Sequence, residues 1–183
     1  MTSRRFGMLL TLAASMTCFQ ANAATIFNIN LTGAGEVPPV TTPATASSTV
    51  TLSTDQTMLT VNTSFTGLLA GVTGAHIHCC VLPGTNAPVV LNFIPAGFPT
   101  GVTSGTFNHT FTLATDLTGI TATTFVASLL GGQTYENIHT TLNPGGEIRA
   151  QLPAVIPEPS TFVLMGAGVM ALFLRRKSAG RQP

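Results

Sequence analysis

From residue 24 to residue 156, apolar and polar positions alternate with a period of two. Runs of this kind at 26–31, 48–52, 59–65, 75–79, 89–93, 106–113, 136–141 and 147–152 predict eight β-strands, since successive strand side chains point to opposite faces. Turn-forming residues separate the runs, among them Pro38-Pro39, Ser53-Thr54-Asp55, Pro83-Gly84 and Asn143-Pro144-Gly145-Gly146. Only 123–130 suits a short helix. Eight strands without βαβ alternation imply an all-β, antiparallel sandwich around one core, with no internal repeat and no second domain.

The two ends break this pattern. Arg4 and Arg5 precede an apolar stretch at 6–16, and Ala21-Asn22-Ala23 offers a small-x-small cleavage site, so 1–23 reads as a cleavable signal peptide. At the other end Pro157-Glu158-Pro159 leads into an apolar run at 162–174 and then Arg175-Arg176-Lys177. The prolines keep the motif extended and accessible, the apolar run seeks lipid, and the basic cluster holds its far end on the cytoplasmic side. This order resembles the PEP-CTERM sorting signal of Gram-negative bacteria, which implies processing by an exosortase-type enzyme and transient anchoring in the inner membrane. As a helix the run spans about 20 Å against about 30 Å of hydrocarbon, a gap that Ser160, Thr161 and snorkelling arginines can close. The expected organisation is a signal peptide (1–23), a β-sandwich domain (24–153) and a sorting tail (154–183) with a transmembrane helix at 162–174. Such a protein is destined for the cell envelope or the extracellular space.

Setting the ends aside changes the charge picture. Residues 24–156 hold one cation, Arg149, against Glu36, Asp55, Asp116, Glu136 and Glu147, a formal balance of −4. A domain with a single cation cannot neutralise a phosphate backbone, which excludes nucleic acid as a partner. The same segment contains 27 threonines, which favour strands and solvate a surface without charge.

Alternation also assigns faces. In Ala75-His76-Ile77-His78 the apolar pair points to the core, so His76 and His78 share the opposite side. Ile138 is the core residue of Asn137-Ile138-His139, and His139 points away from it. Farther on, Ile148 and Ala150 are expected to pack while Glu147 and Arg149 face outward. The hairpin at Asn143-Pro144-Gly145-Gly146 should bring His139 near Glu147 or Arg149. Two imidazoles two apart on a strand, with a third from a later strand, can converge on one ion. His76, His78, His139 and Glu147 are the candidate ligands, with zinc or copper as the ion. The competing reading makes the histidines surface groups pinned by backbone hydrogen bonds. His109 alternates with Phe107 and Phe111 and reads as structural.

The segments Ala75-His76-Ile77-His78, Pro83-Gly84-Thr85-Asn86-Ala87-Pro88 and Tyr135-Glu136-Asn137-Ile138-His139, together with Gly145-Gly146-Glu147-Ile148-Arg149, resemble the CHRD domain, named for chordin. The resemblance covers about residues 25–152. It implies an exported protein with an immunoglobulin-like β-sandwich and leaves the molecular activity open. The His-x-His strand is also similar, at the level of fold, to that of copper/zinc superoxide dismutase, although a dismutase site needs more imidazoles and a carboxylate. Where many CHRD members have Gly-Pro after the second histidine, this chain has Cys79-Cys80. An exported chain meets an oxidising compartment, yet adjacent strand residues point to opposite faces. A vicinal disulfide, an intermolecular bridge and free thiols all stay open. The vicinal bridge is favoured, because the following loop can absorb the distortion.

No Ser-His-Asp order, carboxylate pair or phosphate loop stands out, so no enzyme is expected. The expected role is structural or binding, at the cell surface or in the extracellular matrix, with exopolysaccharide or other surface proteins as partners. A metal-binding exported domain centred on the His-x-His strand is the alternative. A polysaccharide site usually offers aromatic platforms, and the chain has no Trp and a single Tyr, which weakens a carbohydrate-binding reading.

Overall fold

Strands form wherever the alternation is sustained: β1 (Thr25–Thr32), β2 (Thr45–Leu52), β3 (Met58–Thr66), β4 (Val72–Cys79), β5 (Val89–Asn92), β6 (Gly105–Thr112), β7 (Thr134–Thr140) and β8 (Ile148–Gln151). Two helices join them, α1 (Leu113–Asp116) and α2 (Ala122–Leu130). The computed structural model describes residues 23–156, 166 and 168–170. The expected signal peptide, save Ala23, the motif Pro157-Glu158-Pro159 and most of the expected 162–174 membrane helix lie outside the described residues. Among the described residues no helix is long and apolar enough to cross a membrane.

All pairings are antiparallel, and the strand order is β5-β4-β7-β8-β1-β2-β3-β6 in one hydrogen-bonded sheet. The two layers expected of a sandwich are therefore halves of a single curled sheet. Their junction is narrow: β1 meets β8 at one paired position, Thr32 opposite Arg149. With so few hydrogen bonds to keep it flat, the sheet can turn there and lay one half over the other.

Burial drives the closure. Phe27, Ile29 and Leu31 of β1 and Val50 and Leu52 of β2 point into the same core as Ala75 and Ile77 of β4 and Ile138 of β7. The outer edges of the curl are joined by side chains. Phe93, just after β5, stacks on Phe107 and Phe111 of β6 with ring centres 5.3 and 5.5 Å apart. Each fully buried Phe contributes about 1.5–3 kcal/mol by leaving water. His109 sits half-buried on this aromatic side, its ring 4.6 Å from that of Phe111. The helix expected at 123–130 is α2. Thr121 caps it by accepting from the Thr124 N–H, and Phe125, Val126 and Leu129 are its buried side.

One carboxylate lies inside this core. Glu136 shares the inner face of β7 with Ile138 and is fully buried between the halves. It accepts hydrogen bonds from Ser48 Oγ of β2 at 2.7 Å and Thr63 Oγ1 of β3 at 2.8 Å. Burial pushes its carboxyl up to about 7, and the two hydroxyls offset only part of that rise.

Candidate metal centre

The site begins with an irregularity in β4. Pairing with β7 slips between Val72 and Gly74, so Val72 and Ala75 both reach the core although three positions separate them. Such a bulge re-aims the residues that follow it. Here it sets Gly74, His76 and His78 on the side opposite the core. In the neighbouring strand β7, Gly74 pairs with His139 and His78 with Tyr135. The three imidazoles gather, with ring centres 4.8 Å apart for His76 and His139, 5.6 Å for His76 and His78, and 6.0 Å for His78 and His139. One ligand atom from each lies within 4.8 Å of the other two.

Hydrogen bonding decides which nitrogens face the cluster. His78 Nδ1 lies 2.7 Å from the carbonyl oxygen of Ala87, and His139 Nδ1 lies 3.0 Å from that of Pro144. A carbonyl oxygen only accepts, so in both rings Nδ1 carries the hydrogen and Nε2 keeps its lone pair. Those two Nε2 atoms, and Nδ1 of His76, are buried without a hydrogen-bond partner. An unpaired buried polar atom is costly, and three on neighbouring imidazoles is the arrangement a bound cation would satisfy. Burial, reinforced by the imidazoles of His139 and His78, pushes His76 down to about 4. Burial also lowers His78 and His139, so all three rings are neutral at pH 7 and able to ligate. Gly74 leaves room for the His76 ring: a Cβ there would stand 2.8 Å from His76 Cε1.

The side facing away from the core is not a surface here, contrary to the expectation for Arg149 and Glu147. His78 is only 7% exposed and Arg149 2%, because the 81–88 loop folds over β4, β7 and β8. Arg149 holds that loop, donating from Nη1 to Asn86 Oδ1 at 3.0 Å and from Nη2 to the Thr85 carbonyl at 2.9 Å. Asn86 Nδ2 in turn donates to the Val37 carbonyl, tying in the 33–40 loop. The histidines are thus covered by polar and aromatic groups. Under this cover Glu36 is 4% exposed, with one carboxylate oxygen unpartnered and Gly146 packed against it. Burial raises its carboxyl to about 7, against the pull of Arg149 and the amide of Asn137.

Glu147 does not join the histidines. It lies in the turn before β8, where strand alternation no longer governs direction, and its carboxylate is fully occupied. Thr42 Oγ1 and the Leu69 N–H donate to Oε1 at 2.7 and 2.8 Å, and Thr140 Oγ1 donates to Oε2 at 2.7 Å. Burial pushes this carboxyl up, but those donors together hold it below the usual carboxylate range. Its role is to clamp three segments of chain. The expected hairpin does form, with Ile138 paired to Ile148 and the Glu147 N–H donating to the Ile138 carbonyl, so His139 and Glu147 are backbone neighbours. The Glu147 side chain turns to Thr42 and Thr140, and the Pro144 carbonyl of the turn orients His139.

Cys79 and Cys80 are joined by a disulfide across a cis peptide bond at the end of β4. The turn is held on both sides, by Cys79 N–H to the Pro88 carbonyl and Val81 N–H to the Gln133 carbonyl. Sequence reasoning passed over Tyr135, Asn137 and Glu36 as parts of the site. The first had a signal in the composition, as the only tyrosine of the chain.

Fold and site together define an antiparallel all-β domain with a histidine cluster half-covered by its loops. The CHRD domain matches residues 27–152, and the chain belongs to that family. The PEP-CTERM protein-sorting motif matches residues 155–177, which implies export to the envelope of a Gram-negative bacterium and processing by an exosortase-type enzyme. No curated protein and no solved structure matches the chain.

Proposed function

We propose that this exported CHRD domain binds one divalent transition-metal ion, zinc or copper, through His76, His78 and His139. The observation that carries the reading is the convergence of three imidazoles, His78 buried and His76 and His139 half-buried, whose inward nitrogens are themselves buried and have no other partner. Three neutral nitrogen donors suit either ion and leave a coordination position open. We assign the domain a binding role in the cell envelope and no catalytic step. The curled sheet supports an immunoglobulin-like arrangement of the two halves.

Isothermal titration of the exported protein with Zn²⁺ and with Cu²⁺ tests the reading beside a His76→Ala/His78→Ala variant. Near-stoichiometric binding that the variant loses is expected. Absence of binding, or equal binding by the variant, overturns it. The envelope location is tested by deleting the chain from Pro157 onward, which should leave the domain folded and change its fractionation. Unchanged fractionation contradicts sorting by the tail.

A further inference from the structure

Across the core from the histidines, the outer face of β1-β2-β3-β6 carries a regular array of uncharged hydrogen-bonding side chains. Unbroken register aligns Asn28, Thr49, Asn62 and Asn108 in one row across the four strands. The next row is Asn30, Ser47, Ser64 and Thr106, and the row on the other side is Ile26, Thr51, Thr60 and Thr110. Of these twelve side chains none is charged and only Ile26 is apolar. Neighbours across strands lie about 4.8 Å apart and successive rows about 6.7 Å apart.

Strand propensity accounts for the threonines but not for the rest. Asparagine is depleted in strands, yet it fills three of the four places in the central row. Solubility alone does not account for it either, since a soluble surface usually carries charged residues of both signs. Asn28, Asn30, Asn62 and Asn108 are all exposed. A shallow groove crosses the same face, lined by Asn30, Thr32, Thr45, Ser47, Ser64 and Thr66 together with the core residues Leu31, Ala46 and Phe65.

We propose that this face is a docking surface for a neutral, hydroxyl-rich polymer, an uncharged glycan chain lying across the strands. Hydroxyls and amides both donate and accept, so they match a polyol whose groups do the same. An anionic polymer would need cations, and the face has none. An apolar partner would need more than Ile26. Each contact contributes only about 0.5–1.5 kcal/mol, so binding depends on repetition along a polymer. The surface is independent of the metal reading, since no histidine belongs to it.

The test is retention of the exported protein on insoluble cellulose and a β-1,3-glucan, with alginate as the anionic counterpart, in low and in high salt. The variants are Asn62→Ala/Asn108→Ala and Ser47→Lys/Ser64→Lys, each compared with the parent in thermal unfolding. The expected result is retention on at least one neutral glycan, insensitive to salt, unchanged in His76→Ala/His78→Ala, and about ten-fold weaker in the asparagine variant. The proposal is overturned by no retention on either neutral glycan, by retention on alginate alone that salt abolishes, or by retention that both surface variants keep. Self-association in sedimentation that the variants abolish, without glycan retention, would assign the face to a second copy of the chain instead.

Discussion

The guanidinium of Arg149 lies over the ring of Tyr135, 3.3 Å from its centre, and the imidazole of His78 stacks on the same ring at 4.6 Å and 5°. The single cation of the domain is thereby linked through the single tyrosine to a proposed metal ligand. A cation over an aromatic face gains from the ring quadrupole, more so when water is excluded.

This stack makes Arg149 a positioning residue for the loop over the site. Arg149→Ala should cost about 2–4 kcal/mol in chemical denaturation, because Asn86 and the Thr85 carbonyl lose their donor and a packed side chain is removed. Arg149→Lys should recover only part of this, since an ammonium cannot reproduce the planar fork. A loss within experimental error for Arg149→Ala would show that the loop is held by other contacts.

Gly74 is the most selective test of the imidazole geometry. Gly74→Ala places a methyl 2.8 Å from His76 Cε1 and 3.4 Å from His139 Cδ2, so the rings must move apart. Alanine gains about 0.5–1 kcal/mol of backbone stability over glycine in a strand, so folding should survive. Zinc affinity should fall at least about ten-fold, a cost of about 1.4 kcal/mol, measured by titration. Unchanged affinity would mean that His76 is not a ligand.

Glu136 predicts a pH dependence with a definite sign. Its carboxyl is raised from 4.5 to about 7 on folding, so the folded protein binds more protons than the unfolded one between those values. The stability it contributes is fully present below pH 4.5 and is lost as pH rises through 7. Glu136→Gln removes this dependence. Relative to the parent, the variant should gain up to about 3 kcal/mol between pH 4.5 and pH 8 in urea unfolding curves. Parallel stability curves for the two proteins would refute a buried, proton-retaining carboxyl.

The vicinal disulfide predicts a labelling pattern. Alkylation of freshly exported protein should leave Cys79 and Cys80 unmodified, and reduction should then admit two further labels, one on each of them. Intact mass reads both states. Two labels before reduction would mean that the thiols are free in the exported protein.

Much of this was legible along the chain. Period-two alternation located the eight strands within a few residues, because burying one face of a strand is a local demand on sequence. The same argument put His76, His78 and His139 on the non-core side. It failed at Glu147, which lies in a turn where alternation carries no direction, and at Arg149, whose outward direction was right but whose burial depends on loop residues 63 and 64 positions earlier in the chain. The slip at Val72 and Gly74 had a weak signal in the glycine inside a strand run.

By itself the sequence determined the strand pattern, the family, the sorting motif and the near-absence of charge, since each follows from residue types and spacing within a short window. Only the tertiary structure decided that one curled sheet serves as two layers, that Glu136 is enclosed between them, and that two loops roof the histidines. It also aligned the asparagine and threonine rows, because register between strands is set by the whole sheet. These features depend on groups far apart in the chain satisfying one another's buried polar atoms, and no local pattern encodes that.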